Sequence, residues 1–177
     1  FDGNGLYEQF LTYYLKGQEI PFANKADLEK QMPGLRKKFL YAEDFAKASI
    51  DQIIERSKLN DARVYSAETF SNVLLINDGK MKFTMQPLPA EAQFTAYKDA
   101  LVFDVDGDGW KDILLGGNYY GDAISMGRND ADQGTLLLNR KGMLTAVNTK
   151  GLIIRNQVRR ISTVQLGSGL AIVLARN

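Results

Sequence analysis

The spacing of apolar and polar positions along the chain changes twice, and the changes divide it. Up to about residue 22 apolar and polar positions alternate, and Lys16-Gly17-Gln18 interrupts them as a hairpin turn would. From Asn24 the period becomes helical. Asn24 is placed to cap a helix over residues 25–32, Pro33-Gly34 breaks it, and Leu35, Phe39 and Leu40 return on one face. Phe45, Ile50, Ile53 and Ile54 continue that apolar stripe until Asn60-Asp61. Residues 24–59 therefore read as three or four short helices packed on a sheet edge. Tyr13, Tyr14, Phe39, Tyr41 and Phe45 read as packing between these helices and the sheet. Arg36-Lys37-Lys38 reads as a solvated helix face near Glu29, Glu43 and Asp44.

Beyond residue 60 the pattern is that of strands. VLLINDGK at 73–80 and TLLLNRKG at 135–142 resemble each other, each followed by alternating residues, and both read as strand, tight turn, strand. In the first, Asn-Asp-Gly is expected to supply the left-handed turn residues. Residues 100–103 and 113–116 flank an acidic loop, and residues 158–166 and 169–175 form a last hairpin about Gly167-Ser168. The unbroken run Ile172-Val173-Leu174 predicts a strand covered on both faces.

The acidic loop carries the chemistry. In FDVDGDGWKDILLGG, residues 103–117, Asp104, Asp106 and Asp108 stand at alternate positions, Gly107 and Gly109 permit a sharp turn, and Asp112 follows. Calcium takes about 6–8 hard oxygen ligands, and this spacing aims carboxylates at a common centre. The predicted ligands are Asp104, Asp106, Asp108, the backbone carbonyl of Trp110, and Asp112. An EF-hand would need a Glu where Leu115 stands and helices on both sides, so a helical calcium sensor is disfavoured. The opening FDGNGLYEQ aligns with this loop: Asp2 falls on Asp106, Asn4 on Asp108 and Glu8 on Asp112. Asp2, Asn4 and Glu8 thus form a degenerate copy, expected to hold metal weakly or not at all. The residue matching Asp104 would precede Phe1, which reads as a chain taken from a longer protein.

Composition narrows the chemistry further. The 177 residues contain no cysteine and no histidine, which removes disulfides, thiol nucleophiles, imidazole catalysis and Cys/His zinc sites. With 22 basic against 21 acidic residues there is no net field to gather nucleic acid, and no apolar run approaches the about 20 residues of a membrane helix. The length suits a single globular unit. Glu43 and Glu91 show no spacing that marks an acid–base pair.

An acidic loop between strands, an apolar strand ending in Gly116-Gly117-Asn118, a long polar loop and an N-D-G hairpin together resemble the FG-GAP or VCBS repeat β-propeller family, to which the propeller of integrin α subunits belongs. GDAISMGRNDADQG at 121–134 and the ending VQLGSGLAIVLARN look like the last blades of bacterial surface proteins of that type. The fold so implied is mainly β: a partial β-propeller with an α-helical insertion. Residues 1–177 would be one propeller fragment, with residues 24–59 inserted within the first repeat, residues 97–147 the most complete blade and residues 156–177 the final strand hairpin.

The resemblance further implies a secreted, cell-surface or periplasmic location, Ca2+ held for structure, and a non-catalytic module that binds a protein or a glycan beside the remaining blades of its parent. Its alternative is part of a carbohydrate-active propeller enzyme whose catalytic groups lie mostly outside this chain. For ligand contact the long loop is the candidate, through Tyr119, Tyr120, Arg128, Asn129, Asp130 and Asp132, unless Arg128 pairs with Asp130 or Asp132 to brace the loop.

Overall fold

A computed structural model of the chain describes residues 3–149 and 151–177. The chain forms two compact units, Phe1–Ser66 and Ala67–Asn177. The single unit suggested by length is thus two, because the helical segment carries enough apolar side chains to close a core of its own.

In the first unit, strands β1 (Thr12–Leu15) and β2 (Gln18–Pro21) pair antiparallel across the two-residue turn Lys16-Gly17, both residues at positive φ. Five short helices follow, where three or four were expected: α1 (Lys25–Gln31), α2 (Leu35–Lys38), α3 (Ala42–Ala46), α4 (Ile50–Ile53) and α5 (Arg56–Asn60). Asn24 caps α1 by accepting from the Asp27 N–H at 3.0 Å, and Ser49 with Gln52 forms a capping box at α4. Helices this short owe their order to packing rather than propensity. Leu28, Met32, Leu35, Phe45, Ile50, Ile53 and Ile54 make that core, with Phe39 edge-on to Phe45 at 5.6 Å. Tyr14 and Tyr41, expected in the packing, are instead 72% and 70% exposed. Their polar hydroxyls favour the surface, where that of Tyr14 donates to Glu19 at 3.4 Å, while purely apolar side chains fill the interior.

In the second unit, β3 (Val73–Asn77) and β4 (Phe83–Pro87) form a hairpin. Its left-handed residues are Gly79 and Met81 rather than Asn77 and Asp78, whose side chains instead accept from the Gly79 and Lys80 N–H groups. A four-stranded antiparallel meander follows: β5 (Asp99–Phe103), β6 (Asp112–Gly116), β7 (Thr135–Arg140) and β8 (Met143–Val147), neighbours in that order. The last hairpin pairs β9 (Val158–Leu166) with β10 (Gly169–Arg176). The chain as a whole is mainly β, built of several antiparallel sheets, none closed into a barrel.

The central strand β6 is covered on both faces, and the register of the meander sorts the side chains. Leu101, Leu114 and Leu136 lie opposite one another and pack on Ile154, Val158 and Ile161. One residue away, Leu115 and Leu137 turn to the other face, against Ala92 and Tyr97. This explains the unbroken apolar sequence of β6. At its end, a β-carbon on Gly116 would lie 2.6 Å from Val158 Cγ1, and one on Gly117 would strike Thr95, so both glycines admit close neighbours. β10 behaves differently: Ile172 and Val173 are 39% and 50% exposed, against the expectation of two covered faces. Among the described residues it pairs only with β9, and a two-stranded ribbon cannot cover both sides of its own strands.

Candidate metal centre and loop cleft

The acidic loop joins β5 to β6 at one end of the meander. Gly107 and Gly109 both take positive φ, 77° and 88°, a region that glycine enters with the least steric cost. The loop is held by its own first acid: Asp104 accepts from the Gly107 N–H at 2.8 Å and the Gly109 N–H at 2.9 Å. Asp108 accepts from the Trp110 N–H at 2.9 Å. One carboxylate oxygen each from Asp104, Asp106 and Asp108 lies within 4.8 Å of the others.

Asp112, predicted as a further ligand, is placed differently from these three. It is fully buried, and its two oxygens accept from the Val105 and Asn139 N–H groups, each at 2.8 Å. It therefore ties the start of the loop to β7. Asn139 adds to the tie by donating to the Lys111 carbonyl at 3.1 Å and accepting from the Gly142 N–H at 2.7 Å. Trp110, the predicted carbonyl ligand, has a half-exposed side chain.

Arg140 was not foreseen in the sequence. Its Nη1 donates to Asp108 at 2.6 Å while Nη2 donates to Asp106, so one guanidinium bridges two of the three clustered acids. These bonds hold the Asp106 carboxyl below the usual carboxylate range, and the acids raise the Arg140 guanidinium further. The only sequence signal was an arginine at the end of the first strand of the neighbouring hairpin.

The donor set suits a hard divalent cation. Three carboxylates against one guanidinium leave two negative charges, and each carboxylate oxygen can accept at a second lone pair. Of the degenerate copy, Asp2 lies outside the described residues. Asn4 accepts from the Leu6 N–H at 2.8 Å, as Asp108 does from Trp110, and Gly3 and Gly5 share the positive φ of Gly107 and Gly109. Glu8 is half-buried, and in the alignment of the two loops it takes the place of the fully buried Asp112.

The long connection from β6 to β7 is fixed at two levels. At its base, Asn118 exchanges hydrogen bonds with the backbone of Asp132, and Asp132 accepts from the Thr135 hydroxyl at 2.8 Å and the Gly117 N–H at 3.3 Å. Asp132 is 4% exposed, so this predicted ligand contact is instead part of the loop's footing. Burial pushes its carboxyl above the usual range. One level out, Tyr119 and Asn129 exchange backbone hydrogen bonds of 2.7 and 3.0 Å.

The other predicted contacts divide between bracing and surface. Lys98 Nζ sits 4.5 Å above the Tyr119 ring, and the Arg128 guanidinium lies 5.0 Å from the centre of the Tyr120 ring. Among the described residues Arg128 pairs with neither Asp130 nor Asp132. Arg128, Asn129 and Asp130 line an open cleft of about 460 Å³ together with Phe94, Asp122 and Met126, three residues the sequence did not single out.

No family model, no curated protein and no solved structure matches this chain.

Proposed function

We propose that this chain is a non-catalytic, calcium-stabilised binding or scaffold module of the FG-GAP or VCBS repeat β-propeller type, acting at the cell surface, in the periplasm or in the extracellular medium. The observation that carries the reading is the Asp104, Asp106 and Asp108 cluster, set between two adjacent strands of a four-stranded antiparallel meander. A propeller blade is a sheet of that kind. The matching turn geometry at Asn4 and Asp108 supports it further.

Asp104, Asp106 and Asp108 would hold the ion, with the Trp110 carbonyl. Calcium would supply positive charge that cross-links the loop. The chain's own residues do the rest: Asp112 and Asn139 fix the loop to β7, and Arg140 neutralises part of its charge. A metal held this way stabilises the end of the sheet and leaves recognition to the neighbouring long loop.

Thermal melting in excess calcium and in excess chelator, with Asp106→Ala beside the natural chain, tests this. At calcium near 100 times its dissociation constant the expected gain is about 2.7 kcal/mol, a rise of roughly 5–11 °C that the variant abolishes. Identical melting in the two conditions would sink the reading.

A further inference from the structure

Asn4-Gly5 is where the first loop departs from the acidic pattern of the second, and it is also the one Asn-Gly pair in the chain. Each other asparagine with a residue after it is followed by a residue that carries a side chain. Asn4, Gly5 and Leu6 are all exposed, so water reaches the pair. The Leu6 N–H donates to Asn4 Oδ1 at 2.8 Å, which folds the side-chain amide along the Asn4–Gly5 peptide and polarises its carbonyl. Gly5 lies at φ 82°, and nothing stands within 4 Å of where a β-carbon would be, so no side chain crowds the peptide.

We propose that Asn4 is a site of spontaneous deamidation. The Gly5 nitrogen, giving its proton to water, attacks Asn4 Cγ. Negative charge gathers on Oδ1, where the Leu6 N–H stabilises it, and the side-chain nitrogen takes a proton from water and leaves as ammonia. The succinimide ring so formed takes up water at either carbonyl and opens to aspartate or, with the main chain lengthened by a methylene, to isoaspartate. An amide and water become an acid and ammonia, so the sequence needs no oxidant and no enzyme. The product is ionised at neutral pH. Its new negative charge falls at the position that Asp108 occupies in the second loop, so the aspartate branch turns the degenerate copy toward the acidic pattern. The isoaspartate branch moves the acceptor of the Leu6 N–H and opens the turn. This chemistry belongs to the backbone and is independent of whether either loop holds a metal.

Asn77 supplies an internal control. It too is exposed, and its Oδ1 accepts from the Gly79 N–H at 2.9 Å in a turn of the same kind, but Asp78 follows it. The Asp78 side chain crowds the attacking nitrogen, and its charge opposes loss of the amide proton. The test is peptide mapping by mass spectrometry of the folded chain held at mildly alkaline pH, with aspartate and isoaspartate separated by chromatography. Asn4 should show the mass gain of an amide-to-acid exchange about tenfold faster than Asn77 and about tenfold faster than in Gly5→Ala, where a methyl group crowds the nitrogen and strains the positive φ. Both acids should appear, because the ring opens at either carbonyl. The inference is overturned if Asn4 in the folded chain keeps its amide while a free peptide of residues 3–9 loses it, or if Asn77 reacts as fast. Aspartate as the sole product would overturn it too, since that is the mark of direct hydrolysis without a ring. Asn77 lies in the same molecules as Asn4, so the comparison holds even where Gly5→Ala fails to fold.

Discussion

Arg140 Nη1 donates to the Asp108 carboxylate at 2.6 Å, and the same guanidinium reaches Asp106. An arginine here holds together acids that would otherwise repel, and it offers its charge where a cation would offer its own. Arg140→Gln should therefore bind calcium several-fold more tightly in a calorimetric titration, because a competing positive charge is gone. Equal or weaker binding would mean that the guanidinium supports the occupied loop rather than competing for it.

Asp112 separates structure from ligation. Asp112→Ala leaves the Val105 and Asn139 N–H groups unsatisfied beside a buried gap and should cost about 2–4 kcal/mol. Denaturant unfolding in chelator is the decisive condition. A loss of that size without calcium identifies a structural carboxylate, whereas a loss seen only with calcium would make Asp112 primarily a metal ligand.

Gly116 lies where β6 meets the segment that carries Val158 and Ile161. A methyl group there would sit 2.6 Å from Val158 Cγ1 and 2.8 Å from Ile161 Cδ1, so Gly116→Ala should destabilise by about 1–3 kcal/mol. The penalty should shrink in a Val158→Ala background, measured by a double-mutant cycle. Simple additivity would place the strain elsewhere.

Burial raises the Asp132 carboxyl from its ordinary value of 3.8, so the folded state holds this proton more tightly than the unfolded chain. Stability from this group is present below 3.8 and is lost as pH rises through the raised value. Melting of Asp132→Asn against the natural chain should therefore shift in favour of the variant as pH rises across that window. The opposite trend would show that the donors from Thr135, Gly134 and Gly117 outweigh burial.

What the sequence determined by itself was local. The helix start at Asn24, the Lys16-Gly17 turn, the strands flanking the acidic loop and the clustering of Asp104, Asp106 and Asp108 all depend on residues within a few positions of one another. Side-chain period, capping and the φ of glycine act over that range. Asp112 shows where such reasoning ends. Its spacing suits a ligand, yet it is engaged by the Asn139 N–H across 27 positions. Arg140 reaches Asp106 across 34, and Phe94 joins the cleft of Arg128 from before β5. Only tertiary structure decided these, because which strands become neighbours, and which exposed side chains share a cleft, follows from sheet register and packing. The exposed faces of β10 belong to the same class: an apolar run records that burial is favourable, and the surrounding layers decide whether it occurs.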